Sequence, residues 1–418
     1  MPLDPVKVRA QFPSLDRPAV FFDNPGGTQI ARRSAERIQK YLMECNANHE
    51  GAFKTSRDSD AVLDQAHQAM ADMLNASRRE EIVFGANMTT LTLSLSRALA
   101  RTFNSGDEIV VTRLDHDANI SPWLLAAEDR GCNITWVDFD VEDCTLKLDD
   151  LERALAKKPK LVAFGYASNA VGTINPVHRI TKMAHEAGAL VYVDAVQYAP
   201  HGPIDVQDIG CDFLVCSAYK FFGPHAGILY GRYDLLDGLK AYKVRPAPAL
   251  PPGKFETGTQ NHEGIAGVLG AVEYLAWVGE TFGGEGEAWR EAGFSGQKLS
   301  VHKGLAAIRS YEMDLSRALI EAIESVPGTR IYGITDPKKM DQRVPTVSFR
   351  LEGKPPRAIA EALGNEGFYV WDGNYYALAV TDRLGIETSG GMVRVGAAHY
   401  NTVDEVVHFG EALKKITA

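Results

Sequence analysis

Four residues able to do covalent and acid–base chemistry stand at the ends of four separate β-rich runs of this 418-residue chain. His116 follows DEIVVTRL (107–114), and Asn169 follows KLVAFGYA (160–167). Asp194 lies at the end of ALVYVDA (189–195), with Gln197 shortly after, and Lys220 follows DFLVCSA (212–218) with Ser217 and Tyr219 beside it. A lysine at a buried strand end is costly unless its charge is paired or lost. Together the set supplies an amine for Schiff-base chemistry with an aldehyde and a carboxylate to keep a ring nitrogen protonated. It also supplies a flat imidazole to stack on that ring and an amide to bond a ring hydroxyl. That is the requirement of a pyridoxal phosphate site.

A phosphate would also find a cradle. Asn87, Met88, Thr89 and Thr90 lie between the run EIVFGA (81–86) and a helical pattern beginning TTLTLSLS. N–H groups at a helix start, with hydroxyls beside them, hold an anion without net basic charge. Ser217 adds a hydroxyl three residues before Lys220. The same SxxK spacing occurs in penicillin-recognising serine enzymes, but there it opens a helix and is joined by SDN and KTG elements. Neither element is present here, and SAYK closes a strand.

The elements that must position these residues form a regular series. Between about 81 and 232, strand-like runs alternate with helical ones: after EIVFGA and DEIVVTRL come NITWVDF (133–139), KLVAFGYA, ALVYVDA and DFLVCSA. Such βαβ units build a parallel sheet, and ligands of such sheets bind beyond the carboxyl ends of the strands. AGILYGR (226–232) follows after too short a turn for a crossover helix, so it is expected to be antiparallel. The run 279–296, rich in Gly and Glu, reads as a loop or boundary. After it come a helix around LSRALIEAIESV (315–326), then RVPTVSFRL, a helix at PPRAIAEALGNEG, FYVWDG, MVRVGA and a last helix at TVDEVVHFGEALKKI. This mixture predicts a smaller α+β unit.

Composition narrows the field. Hydrophobic residues make up 45% and charged residues 23%, enough to bury a large core and to exclude disorder as the main state. The net charge of −10 argues against a nucleic-acid partner. No run approaches a membrane span, and the N-terminal residues have no signal-peptide core, so a cytoplasmic location without membrane contact is expected. Five cysteines, at 45, 132, 144, 211 and 216, form no CxxC, and no HExxH occurs. Reduced thiols and no metal site are expected.

The chain resembles the class V aminotransferase group of fold-type I pyridoxal phosphate enzymes, and most closely its cysteine desulfurase and selenocysteine lyase branch. The resemblance spans nearly the whole chain. It rests on FFDNPGGTQ (21–29), DHDANISPW (115–123), ASNAVGTINP (167–176), VDAVQ (193–197), SAYKFFGPHAGILYG (217–231), FETGTQN (255–261) and VRVGAAHYNTVDEV (393–406). It implies a large, mostly parallel seven-stranded α/β domain at 21–280 and a small α+β domain at 281–418, with residues 1–20 packing on the latter. It implies a homodimer in which Thr259 reaches the phosphate held by the other copy. By the same resemblance, Lys220, His116 and Asp194 are catalytic. Met88, Thr89, Asn169, Gln197, Ser217 and Tyr219 join them around the cofactor, while Asn24 and Arg394 meet an amino-acid substrate.

The departures from the branch are informative. A His precedes the lysine in the desulfurases; here it is Tyr219. Their small domain carries an Arg and then a Cys that takes up sulfur as a persulfide. Aligning GFYVWDGNYYA (367–377) on Gly367 and Gly373 puts Trp371 at that Arg and Tyr376 at that Cys, and no Cys follows position 216. Both aromatics are expected at the substrate. Carbon–sulfur β-elimination without a persulfide is the leading expectation. Transamination, epimerisation, desulfuration through another cysteine and a non-catalytic binding role stay open.

Overall fold

The computed structural model describes residues 2–417. Its strands in chain order are β1 Val20–Phe21, β2 Ile82–Gly85, β3 Glu108–Thr112, β4 Asn133–Val137, β5 Leu161–Gly165, β6 Leu190–Asp194, β7 Phe213–Ser217 and β8 Gly227–Gly231. They continue as β9 Thr329–Tyr332, β10 Thr346–Leu351, β11 Phe368–Tyr369, β12 Trp371–Gly373 and β13 Met392–Gly396. Seven of them form one sheet in the order β2-β8-β7-β6-β5-β3-β4. Every neighbouring pair is parallel except the two that β8 makes. β5, β7 and β8 are buried along their whole length, as continuous apolar runs in a sheet covered on both faces must be. This is the fold-type I arrangement expected, and the strands lie one or two residues inside the sequence-derived bounds.

The second sheet, β12-β13-β10-β9, is antiparallel, and its register sets Ser348 and Trp371 on either side of Arg394. Helices Gly296–Glu324 and Val403–Thr417 pack on each other and enclose a separate apolar core with this sheet. FYVWDG divides into two strands: β11 leaves the sheet to pair in parallel with β1, Val20 opposite Phe368. The N-terminal residues are thereby fastened to the far end of the chain. Arg9 Nη1 adds bonds to Glu405 Oε1 (2.8 Å) and to the Tyr400 carbonyl (3.0 Å).

Residues 279–296 are not simply a loop. Helix His262–Phe282 runs into them, a short helix occupies Glu287–Glu291, and the long helix begins at Gly296 rather than near 315. His262–Phe282 is the one described helix long and apolar enough to cross a membrane, and 78% of its most apolar window is buried inside the protein. It packs against Gly296–Glu324 and Arg32–Glu44. Close approach of the first two depends on glycine. A Cβ on Gly304 would stand 2.2 Å from the Leu275 carbonyl oxygen, and one on Gly279 1.7 Å from that of Ser300. Neither backbone atom has a flexible way out. Gly304→Ala is therefore expected to destabilise the fold by about 2 kcal/mol or more, at the upper end of overpacking costs. A melting temperature equal to that of the parent chain would refute this packing.

Candidate active site

The carboxyl ends of β3, β5, β6 and β7 meet the N-terminal segment and the small sheet around a cavity of about 940 Å³. Met88, Thr89, His116, Asn169, Asp194, Gln197, Tyr219, Lys220, Trp371, Tyr376 and Arg394 all line it. Eleven of the fourteen residues singled out from sequence thus converge on one site.

The other three do not line it. Asn24 is buried with its amide saturated: Nδ2 donates to the carbonyls of Phe21 (2.9 Å) and Gly396 (2.8 Å) and to Asn401 Oδ1 (3.1 Å), and Oδ1 accepts from Tyr400. It ties the N-terminal segment to the end of β13 and has no group left for a substrate. Ser217 ends β7, buried, with its hydroxyl bonded to nothing in the chain. Thr259 is exposed on the loop before helix His262–Phe282 and does not approach this chain's own cavity.

Lys220 sits on a single 3₁₀ turn, Ala218–Lys220, directly after β7. Its Nζ donates to the Pro25 carbonyl and lies 4.7 Å from the centroid of the Tyr219 ring. Burial lowers its pKa to about 7, and Arg394 pushes the same way against Asp194 and Asp23. At neutral pH a large share of this amine is unprotonated and nucleophilic. Thr28 locks the turn in place: its hydroxyl donates to the Tyr219 carbonyl (3.1 Å) and accepts from Phe222 N (3.0 Å).

Asp194 accepts a bond from Val196 N (2.9 Å). Burial nevertheless raises its pKa to about 6, with that bond and Lys220 opposing. A cation placed against it offsets the burial and restores the carboxylate. Asp115, one residue before His116, is raised further, to about 8, by burial and then by Asp194, despite bonds from Thr112 Oγ1 and Asn119 Nδ2. At pH 7 it is held largely neutral, which keeps a second negative charge away from Asp194. His116 is lowered to about 4, first by burial and then by Lys220 and Arg394, so its ring is neutral. Its Nδ1 accepts from Ala118 N (3.0 Å), which fixes the imidazole, and the ring stacks on Tyr376 with centroids 5.7 Å apart.

Arg394 donates to the Asn169 carbonyl (2.8 Å), and its guanidinium lies 4.2 Å from the centroid of the Tyr375 ring. Asn169 Nδ2 in turn donates to the Tyr375 carbonyl (2.9 Å). Tyr375, Asp23 and Asp115 were not among the residues singled out. Each adjoins one that was, or opens a quoted motif, which is the only sequence signal they carry.

Buried polar groups in folded proteins are almost always bonded. Asn169 Oδ1, Gln197 Oε1, Ser217 Oγ, Arg394 Nε and Asp23 Oδ1 have no hydrogen-bond partner among the described residues. The helix Met88–Ala100 presents its first N–H groups at the cavity, with Asn87 Oδ1 capping Thr90 N (2.9 Å). A ligand with an anionic tail, a protonatable ring, a ring oxygen and an aldehyde matches this set. In such a fit the helix start would take the anion, Asp194 the ring nitrogen, Asn169 and Gln197 the oxygen, and Lys220 the aldehyde. The fold and the site together define a fold-type I pyridoxal phosphate enzyme.

Comparison with known proteins narrows the class. The family profile Aminotransferase class-V matches residues 20–283 and 297–409. The chain belongs to that family, whose members use pyridoxal phosphate. An aminotransferase-like protein of Gibberella zeae is 35% identical over 98% of this chain and 97% of its own length. A cysteine desulfurase of Synechococcus elongatus is 33% identical over 98% of this chain, which spans 63% of that protein. The apo structure of a cysteine desulfurase from Thermococcus onnurineus superposes with a TM-score of 0.87 at 26% identity, covering 100% of this chain and 99% of that one.

The lowered pKa of Lys220 has a measurable consequence. In cofactor-free protein at pH 8, acetic anhydride is expected to label Lys220 ahead of surface lysines, which stay charged up to about pH 10.4. Arg394→Gln removes a neighbouring cation and should move the midpoint of labelling to higher pH. Peptide mapping that finds Lys220 no more reactive than other lysines would contradict the assignment.

Proposed function

We propose that the chain cleaves a carbon–sulfur bond of an amino acid by β-elimination, without a persulfide on the protein. The observation that supports the reading is the cavity wall: Tyr376, which the sequence resemblance aligns with the desulfurase cysteine, lines it, and no cysteine does. Cys45, Cys144, Cys211 and Cys216 are buried, burial raises the Cys144 pKa to about 12, and partly exposed Cys132 donates to the Asn104 carbonyl (3.4 Å).

The α-carboxylate of the substrate pairs with Arg394, whose Nε is free to donate. Bound pyridoxal phosphate supplies a sink for the electron pair left when the α-proton departs. Lys220 takes that proton on Nζ, a role its lowered pKa suits. Loss of the β-sulfur then releases a thiol or sulfide, and hydrolysis of the remaining fragment yields pyruvate and ammonia. Neutral His116 and neutral Asp115 leave Asp194 as the acidic group that holds the ring nitrogen.

The site is proposed to be completed in a homodimer, with Thr259 of one copy approaching the cavity of the other. Thr259 is exposed, and Tyr242, Val244 and Leu250 expose apolar surface on the preceding stretch. Sedimentation at micromolar concentration should give a dimer, and an active monomer would contradict this.

The chemistry is tested by replacing all five cysteines with Ser or Ala. Pyruvate and sulfide formation from sulfur amino acids should survive, apart from stability losses of about 1–3 kcal/mol at buried positions. Lys220→Ala should abolish both turnover and the borohydride-trappable chromophore. A cysteine-bound sulfur adduct in mass spectra of the turning-over enzyme would return the protein to the desulfurases.

A further inference from the structure

The outer half of the cavity is built differently from its floor. Two aromatic rings project at its mouth: Trp371 is 50% exposed and Tyr376 75% exposed, although each belongs to the wall. Three carboxylates, Asp117, Asp372 and Glu387, line the same wall. Among the described residues, neither Asp117 nor Glu387 has an ion pair, and only Asp372 meets a cation, Arg357, at 3.4 Å. The donors to the other two are neutral. Ser121 Oγ donates to Asp117 (2.5 Å), and Asn374 Nδ2 (2.9 Å) and Thr381 Oγ1 donate to Glu387.

These groups are fastened together. Asp117 N donates to the Tyr376 carbonyl (2.7 Å), and Tyr376 N donates to Asn374 Oδ1 (3.0 Å), the residue whose amide holds Glu387. Tyr375 and Tyr376 both adopt left-handed backbone, φ 56° and 59°, which non-glycine residues rarely occupy and which packing must hold in place. The segment is therefore fixed with its rings and carboxylates on one wall. Deeper in the same cavity, buried Asn169 Oδ1 and Arg394 Nε are unpartnered, the marks of a cavity that takes a ligand.

We infer that this outer chamber selects a substrate whose side chain ends in a cation. Arg394 on the floor fixes the α-carboxylate. The far end of an extended side chain then comes to rest among carboxylates of which two, Asp117 and Glu387, have no ion pair among the described residues, and beside ring faces that attract cations. The inference rests on the amino-acid reading above and names the chemical class: an amino acid with a β-sulfur substituent that carries a terminal ammonium or similar cation.

The test uses the holoenzyme and two near-isosteric pairs. S-(2-aminoethyl)cysteine is compared with S-propylcysteine, and lysine with 2-aminoheptanoate, by titrating the absorbance of the bound cofactor. The cationic member of each pair should bind roughly tenfold more tightly, from one ion pair and one cation–ring contact. Raised salt should shrink the difference. Asp117→Asn and Glu387→Gln should each bring the ratio toward one while leaving the dissociation constant of the neutral member unchanged.

Equal binding within each pair, or a ratio untouched by both substitutions, would overturn the cation assignment and leave the lyase reading standing. A preserved preference for lysine with neither sulfur amino acid cleaved would sink the lyase reading and keep the assignment. Failure of every amino acid to perturb the spectrum would overturn both.

Discussion

The structure turns on keeping one amine, that of Lys220, out of water without burying a full charge. Burial and Arg394 lower its affinity for a proton, while Asp194 and Asp23 stop it falling further. The neighbours follow from this balance. His116 is neutral first because the site is dry and then because Lys220 and Arg394 stand near it. Asp115 is largely neutral because it is buried and because Asp194 already holds the local negative charge. Arg394, also buried, is lowered to about 10 and remains a cation. The site thus contains a firm cation, a carboxylate and a neutral nucleophile within one cavity, an arrangement that the family's cofactor chemistry uses.

Much of this was readable in the sequence because a parallel sheet writes itself plainly. LVAFG, LVYVD and FLVCS are short and mostly apolar, each has polar residues at or within a few positions of its end, and the carboxyl-edge rule makes those polar residues neighbours. The register did the rest, since Gly165 lies opposite Asp194, and Asp194 opposite Val215. Contacts made across long sequence distance were not readable. Asn24 looked available for a substrate, yet its partners are Gly396, Asn401 and Tyr400, more than 370 residues away. Glu312, in a long amphipathic helix, is buried with its carboxylate 2.7 Å from His201. The split of FYVWDG into two strands was equally hidden, because its first half pairs with Val20–Phe21.

The same reasoning separates what the family fixes from what this chain varies. The floor of the cavity, from Met88 to Arg394, carries the residue types that the fold-type I resemblance implies, and the Thr28 bond to the Tyr219 carbonyl secures the lysine turn although Tyr replaces His. The departures from the desulfurase resemblance, Tyr219 aside, lie in Trp371–Tyr376, on a strand edge and turn whose backbone is held by β13. Gly26 records how closely this segment approaches: a Cβ there would stand 2.4 Å from Trp371 Nε1.

The pairing of β1 with β11 has a consequence for how the protein is made. Residues 20–25 leave the ribosome long before their strand partner and the Gly396 and Asn401 groups that hold Asn24. The large sheet can assemble during translation, since all its strands lie between 82 and 231. The segment that carries the Pro25 carbonyl over Lys220 gains its strand pairing and its Asn24 bonds only after residues 368–401 have been made. A chain cut before residue 368 would hold a formed sheet with this segment untied, so the cover over the lysine depends on residues translated long after the lysine itself.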